Sequence, residues 1–329
     1  MNRLLFILLL TIGFSANAQL IHKRKVSLLG SPFEITVVAN DTIQAHQYED
    51  MAIAEVKRIE NIISDWIPTT PLSQINQNAG KQAVKVPLEL IELIERSIKI
   101  SKLTDGAFDI SYASMDRIWK FDGSMKEMPT PEAIKKSVEK VGYENIIIDK
   151  EKQTVFLKLE GMKLGMGGIG QGYIADKVKA HLIAKGCTAG LVNISGDIST
   201  WGKQPNGEQW KVGIKNPMNK NKIFATFPLE DKAVETSGSY EKYVTFNGKR
   251  YSHIIDTRTG YPATGLISIS VFANTTELAD ALATGVFVMG KDAGMNLINQ
   301  LPGIGCIMVD EDGKISTSNN IDLKKYQHD

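Results

Sequence analysis

The sequence predicts an α+β fold, a single domain in which mixed sheets pack against helices. Two long amphipathic helices lie in the first third of the chain, whereas residues 191–270 alternate short strands with turns. Strands and helices therefore do not alternate as in a parallel βαβ array, which argues against a doubly wound sheet. No internal repeat, low-complexity segment or linker is found among the 329 residues. We therefore expect residues 19–329 to form one domain.

The N-terminus has the pattern of an export signal. Arg3 provides a short positive start, residues 4–14 are mostly apolar, and residues 16–18 (ANA) fit a small-x-small cleavage site. The apolar run is shorter than the roughly 20 residues that a membrane-spanning helix needs. An uncleaved anchor remains the alternative. We expect a signal peptide over residues 1–18 and a periplasmic or secreted protein that begins near Gln19.

Composition excludes some classes of partner. The chain has 38 Lys and Arg against 37 Asp and Glu, so it lacks the basic field of a nucleic-acid-binding protein.

Cys187 follows a helix end and Cys306 lies in an apolar run, so both are expected to be buried hydrophobic residues rather than a disulfide. The five histidines are scattered along the sequence, and no zinc-type cluster is expected.

Hydrophobic periodicity and turn residues locate the elements in order. Helices are predicted at residues 45–66, 87–103, after Pro129 and Pro131, from the glycines at 165–172 to about 185, from Thr275 or Thr276 to Gly290, and once more thereafter, with a turn at 71–80. Strands are predicted at residues 26–29, 33–39, 145–148, 154–159, 191–194, 210–215, 223–229, 233–237, 243–246, 266–272 and 305–309.

Residues 165–172, GMGGIGQG, contain a G-x-G-x-x-G string between a predicted strand and a predicted helix. Glycine amides at a helix entry can approach a phosphate closely, because no side chain intervenes. A nicotinamide-binding fold is only weakly indicated. A nicotinamide-binding fold would have an acidic residue at the end of the following strand. This chain has Asn193 there, and Asp197 comes several residues later. The string therefore indicates phosphate or nucleotide binding.

The helix that begins at Thr275 or Thr276 carries Asp280 and Thr284 four residues apart, hence on one face. The carboxylate of Asp280 and the hydroxyl of Thr284 are oxygen ligands, and the neighbouring alanines are small enough to leave space for a hard cation such as Mg²⁺. The alternative is an aspartate facing solvent and a threonine bonded to its own helix.

Residues 251–262, YSHIIDTRTGYP, carry polar and turn residues rather than periodic hydrophobics. A Ser252–His253–Asp256 triad is disfavoured, because neighbouring residues of a strand point to opposite faces. His253 is either a general base or a structural histidine. Gly260 is expected in a turn with positive φ. Earlier in the chain, Asp109 is either a site residue or the cap of the next helix.

Together these segments resemble the FAD:protein FMN transferase family, ApbE. The matching segments are DGAFDIS at 105–111, GGIGQGYIAD at 167–176, LVNISGDI at 191–198, TSGSYEKY at 236–243, SHIIDTRTGYP at 252–262 and LADALATGVFVMG at 278–290. They follow one another in the family's order over essentially the whole mature chain.

The resemblance implies a magnesium-dependent enzyme with a T-fold-like, flavin-binding α+β domain. Such enzymes cleave the pyrophosphate of FAD, pass FMN to a threonine hydroxyl of a flavin-accepting protein and release AMP. It also implies peripheral association with the inner membrane through the acceptor. Two alternatives stay open: an FAD pyrophosphatase that gives FMN and AMP, and a periplasmic FAD-binding protein.

The resemblance also implies roles for individual residues. Asp280 and Thr284 would bind Mg²⁺ with the carbonyl of Gly168, and Asp280 and His253 would be catalytic, His253 as the base. The FAD site would comprise Leu29, Ala107, Phe108, Asp109, Gly165, Gln171, His253, Ile254 and Ile255.

The sequence departs from the family pattern at four of its positions. Members usually have Asp where this chain has Gly165, Lys where it has Gln171, Met where it has Leu29, and Pro where it has Thr257. These departures concern the nucleotide pocket more than the metal site.

Overall fold

The computed structural model describes residues 19–239, 243–246 and 248–327. The predicted signal peptide over residues 1–18 lies outside them. In the described part of the chain the α-helices are α1 (Thr42–Ile63), α2 (Pro71–Gln77), α3 (Leu88–Leu103), α4 (Pro131–Ser137), α5 (Gly170–Ala184), α6 (Thr276–Met289) and α7 (Lys291–Gln300). None of these helices has the length and apolar character that crossing a membrane requires.

The strands form one large sheet and three small ones. They are β1 (Leu20–Leu28), β2 (Ser31–Ala39), β3 (Val84–Lys85), β4 (Ile146–Asp149), β5 (Thr154–Leu157), β6 (Gly190–Ile194), β7 (Asp197–Trp201), β8 (Trp210–Asn216), β9 (Asn219–Leu229), β10 (Ala233–Gly238), β11 (Tyr243–Phe246), β12 (Lys249–Ser252), β13 (Leu266–Ala273), β14 (Gly305–Asp310) and β15 (Ile315–Thr317).

The large sheet has eight strands in the order β1-β2-β6-β7-β10-β13-β14-β15, and each neighbouring pair is antiparallel. Helices α1 and α5 pack together against β2 and β6, and α6 packs on β10 and β13 and also against α5. The two largest clusters of buried apolar side chains follow from this arrangement, one beneath α1 and α5 and one beneath α6 and α7. The predicted α+β fold is confirmed, whereas the named strand pairs in the described part of the chain are all antiparallel rather than mixed.

The predicted turn at residues 71–80 was wrong, because most of it forms helix α2. The side chain of Thr70 accepts a hydrogen bond from the amide of Ser73 (3.1 Å), and Pro71 occupies the first turn. A capping threonine followed by proline is a helix start that outweighs the polar composition of the segment.

Both cysteines are buried free thiols, as predicted, with Cys187 1% and Cys306 0% exposed. The expectation about histidine was wrong. His22 of β1 and His46 of α1 lie beside the buried Glu49, and one ligand atom from each of the three lies within 4.8 Å of the others. The pairing of strand with helix brings together residues that are distant in sequence.

Candidate functional site

A cleft of about 1610 Å³ opens between the large sheet, the glycine-rich segment before α5 and the loop that follows β12. It is larger than most small-molecule sites, which hold roughly 300–1,000 Å³. All but one of the predicted site residues line it: Ala107, Phe108, Asp109, Gly165, Gly168, Gln171, His253, Ile254, Ile255, Asp280 and Thr284. Leu29 is not among the lining residues and lies in the β1–β2 turn with φ 57°.

Helix α6 is fixed at its first turn by a side chain from another helix. The Asp176 carboxylate of α5 accepts hydrogen bonds from the amides of Thr276 and Glu277, both at 2.9 Å. It thereby satisfies two amides that the first turn of a helix leaves without helical partners. One turn further on, the Asp280 carboxylate accepts a hydrogen bond from the amide of Gly172 at 3.1 Å. These contacts set the position of Asp280 against α5.

The close approach of α5 and α6 depends on Gly172. A Cβ atom at this position would overlap the carbonyl oxygen of Thr276 and lie 2.9 Å from the Cβ of Asp280. The carbonyl belongs to the helix backbone and cannot rotate away. The glycine is therefore required for the amide of residue 172 to reach the carboxylate.

We expect Gly172→Ala to lower the free energy of unfolding by about 1–3 kcal/mol, the usual cost of overpacking a buried contact. Denaturant titration measures it. Gly170→Ala is the matched control in the same helix, since a Cβ there meets only side chains, at 3.1 Å from Met166 and 3.5 Å from Ile63. Equal stability of the two variants would contradict the close packing described above.

Asp280 belongs to a cluster of three buried carboxylates, with Asp197 at the start of β7 and Glu235 in β10. One oxygen from each lies within 4.8 Å of the others, and the three residues are 5–7% exposed. Burial raises the pKa of Asp280 to about 7. Burial also raises the pKa values of Asp197 and Glu235 well above their usual range, and the neighbouring carboxylates add to the effect.

Two oxygens of this cluster, Oδ1 of Asp197 and Oε2 of Glu235, are buried without a hydrogen-bond partner among the described residues. Buried carboxylates are costly unless a positive charge or a proton compensates them. A hard divalent cation with oxygen ligands meets this requirement. Thr284 and Gly168 line the same cleft as the cluster, and a Cβ built on Gly168 would lie 3.0 Å from the Thr284 hydroxyl. The donor set fits Mg²⁺.

From the sequence, Asp197 is only an acid that comes too late for a nucleotide ligand, and Glu235 was not predicted as a site residue. A weak signal was present, because Glu235 directly follows the apolar residues Ala233 and Val234 in a predicted strand, AVETSG. Antiparallel pairing of β7 and β10 places Ile198 opposite Val234, and Asp197 and Glu235 are the next residues along the two strands. Strand pairing therefore brings the two acids together.

The loop after β12 forms another part of the cleft wall. The Ser252 hydroxyl donates to the carbonyl of Ile254 (3.0 Å), and the Asp256 carboxylate is held by Arg258 with two contacts of 2.9 Å. This geometry agrees with the rejection of a Ser–His–Asp triad. His253 is exposed, and its ring meets Phe121 edge to face at 6.4 Å. Gly260 has φ 77°, as expected for its turn.

Asp109 caps a short 3₁₀ helix, so the capping alternative is confirmed. Its carboxylate accepts hydrogen bonds from the amide and hydroxyl of Ser111 (both 2.7 Å) and from the amide of Tyr143 (2.8 Å). Burial raises its pKa. Asp109 also lines the cleft. Its hydrogen bonds to Ser111 and Tyr143 therefore hold the part of the cleft wall that Asp109 itself forms.

Three of the four departures from the family pattern, Gly165, Gln171 and Thr257, have a local contact in the structure. A Cβ at Gly165 would lie 3.0 Å from the Tyr112 hydroxyl, so the ring of Tyr112 occupies the space beside it. The Gln171 amide donates to Ser31 at 3.3 Å, and the Thr257 hydroxyl donates to the carbonyl of Gly106 at 2.8 Å. A proline at 257 could not make the last bond.

Known proteins match this chain over most of its length. The model of the ApbE family matches residues 29–308. The FAD:protein FMN transferase of Klebsiella pneumoniae is 28% identical over 293 residues, 88% of this chain and 90% of the relative. The one from Treponema pallidum is 29% identical, over 84% of this chain and 81% of the relative.

Solved structures show the same fold. The crystal structure of the ApbE protein from Thermotoga maritima superposes with a TM-score of 0.84 at 30% identity, covering 94% of this chain and all (100%) of that one. The flavinyl transferase ApbE of Pseudomonas stutzeri reaches a TM-score of 0.81 at 24% identity, over 92% of this chain and 95% of that one, which supports the fold alone.

Proposed function

We propose, from the premise that this chain belongs to the ApbE family, that it is an FAD:protein FMN transferase. The observation that carries the proposal is the cluster Asp197, Glu235 and Asp280, which lines the same cleft as the glycine-rich segment. A cation site beside backbone that can approach phosphates closely suits chemistry on a pyrophosphate. The volume of the cleft suits a dinucleotide such as FAD.

Asp280, Thr284 and the carbonyl of Gly168 would hold Mg²⁺, with Asp197 and Glu235 as further carboxylates at the same place. When bound, Mg²⁺ neutralises charge on phosphate oxygens. Asp280 is positioned for this role by the Gly172 amide and by the anchoring of α6 on Asp176. The pocket for FAD comprises Ala107, Phe108, Asp109, Gly165, Gln171, Ile254 and Ile255, all of which line the cleft.

In the proposed reaction, the hydroxyl oxygen of an acceptor threonine attacks the phosphorus of the FMN half of FAD. A new O–P bond forms, the pyrophosphate bridge breaks, and AMP leaves with the bridging oxygen. The proton of the hydroxyl passes to a base. His253 is the candidate, because it is exposed at the cleft, where a protein acceptor can approach.

We further propose that the protein acts after export, in the periplasm or outside the cell, with residues 1–18 as its signal peptide. The sequence pattern of the N-terminus supports this location. Its acceptor would bring it to the inner-membrane surface.

The test is a transfer assay with purified protein, FAD, Mg²⁺ and an acceptor that carries a flavinylation motif. We expect mass spectrometry to find one FMN phosphate ester on the acceptor threonine, with AMP released in equal amount. The control is an acceptor whose threonine is replaced by alanine.

Other outcomes would contradict transfer. AMP release at the same rate without an acceptor would identify an FAD pyrophosphatase. Intact FAD after long incubation with Mg²⁺ and acceptor would identify a flavin-binding protein without turnover.

A further inference from the structure

We propose that His22, His46 and Glu49 form a second metal site, away from the cleft, that binds a divalent transition ion such as Zn²⁺. Nδ1 of His22 lies 2.6 Å from Oε1 of Glu49, and Nδ1 of His46 lies 3.1 Å from Oε2. The two imidazole rings are 4.8 Å apart in an edge-to-face arrangement. Two nitrogen donors and one carboxylate are thus already assembled around one point.

The fold positions all three ligands. Side chains of β1 alternate between exposed and half-buried, so His22 faces inward. On α1, His46 and Glu49 are three residues apart and therefore lie on one face. Glu49 is 0% exposed, whereas the side chains of His22 and His46 are 29% and 57% exposed. The carboxylate forms the floor of the site, and the imidazoles open it to solvent.

Arg24 also lies near Glu49, but its closer partner is Asp50. Its guanidinium lies 3.9 Å from Glu49 but only 2.7 Å from Asp50. The positive charge of Arg24 is therefore largely matched by Asp50. The close partners of the buried Glu49 carboxylate are the two histidines, which are groups that can exchange a proton for a metal ion.

The donor set selects the class of metal. Imidazole nitrogen suits Zn²⁺ and related transition ions, whereas Mg²⁺ and Ca²⁺ prefer oxygen. Three protein ligands with the fourth position left to water make a known tetrahedral zinc arrangement. Tetrahedral donors at bond lengths of about 2.0 Å lie roughly 3.3 Å apart. The three ligand atoms now lie within 4.8 Å of one another. Nδ1 of His22 would have to move back from its 2.6 Å contact with Glu49 to reach the tetrahedral spacing, and the exposed side chain of His46 has room to adjust.

Metal ions bind imidazole and carboxylate in their deprotonated forms, so binding should weaken at acidic pH. The ion would tie β1, the edge strand of the large sheet, to helix α1. Because it binds the folded state, it would raise the stability of the fold by mass action. This site is independent of the proposed transfer reaction.

The test is titration of the purified protein with Zn²⁺ by calorimetry, with affinity tags removed and Mg²⁺ in excess. We expect one Zn²⁺ per chain and a higher thermal unfolding midpoint. Co²⁺ in place of Zn²⁺ should give the visible absorption of a tetrahedral site. The double variant His22→Gln/His46→Gln should weaken binding at least about 10-fold and lose the rise in midpoint. The matched control is His181→Gln, a histidine of α5 outside the cluster.

Asp280→Asn separates the two sites, and Zn²⁺ binding should persist in this variant. The proposal is overturned if Zn²⁺ binds the double histidine variant as tightly as the unchanged protein. Binding lost in Asp280→Asn would assign the ion to the carboxylate cluster instead. Absence of binding at a large excess of Zn²⁺ would also reject the site.

Discussion

Replacing Asp280 with Asn will lower the rate of FMN transfer by about 100- to 1000-fold. The carboxylate is the centre of the proposed cation site, and charge stabilisation by a bound cation supplies several kcal/mol in such reactions. Asparagine has the same shape and keeps an oxygen that can accept the hydrogen bond of Gly172. The loss will therefore report the missing charge rather than a rearranged helix. Single-turnover transfer at saturating FAD, over a range of Mg²⁺ concentrations, measures it.

Two comparisons make this result specific. Asp292→Asn is the same change at an exposed position in the first turn of α7, and it should leave the rate unchanged. The apparent Mg²⁺ requirement should rise in the Asp280 variant and stay constant in the control. If Asp280→Asn keeps the full rate at limiting Mg²⁺, the metal assignment is wrong.

The metal-free protein will lose stability as the pH rises from about 4.5 to about 7. Burial raises the pKa of Asp280 to about 7, and those of Asp197 and Glu235 are also raised. In this range the native cluster keeps protons that the unfolded chain has released, so the free energy of unfolding falls with increasing pH. A tenfold difference in proton affinity corresponds to about 1.4 kcal/mol, and we expect a decrease of a few kcal/mol.

Below this range the sign reverses. Arg58 lowers the pKa of Glu89 to about 2, so that carboxylate stabilises the fold at higher pH and loses its contribution as the pH falls towards 2. Denaturant titrations in the presence of a metal chelator, repeated from about pH 2 to pH 7, measure both changes in the free energy of unfolding.

The control for the cluster is Glu235→Gln, which removes one of the three acids and should flatten the decrease between pH 4.5 and 7. Added Mg²⁺ should restore stability to the unchanged protein at pH 7, because a cation replaces the lost protons. Identical slopes for the unchanged protein and the variant would show that the cluster does not carry this pH dependence.

Much of the architecture follows from local sequence patterns. Helices α1, α3, α5 and α6 and most strands lie where hydrophobic period and turn residues place them, because those signals act over one or two turns of chain. The exceptions are helix α2 and several strands that were not predicted, β7 and β12 among them. Helix α2 begins at Thr70 and Pro71, a cap signal that outweighs a polar composition. Asp109 is a cap because its neighbour Ser111 is within reach of its carboxylate.

The sequence by itself determined the α+β class, the Asp280–Thr284 helix face and the turn at Gly260, since each depends on residues within a few positions of one another. Only the tertiary structure determined which residues from distant parts of the chain lie next to one another. Antiparallel pairing of β7 and β10 brings Glu235 to Asp197, and packing of α6 against α5 adds Asp280. The packing of α1 on the edge strand joins His22 to Glu49 in the same way. The register of the strands and the packing of the helices depend on the whole core. Local sequence patterns therefore do not predict these contacts.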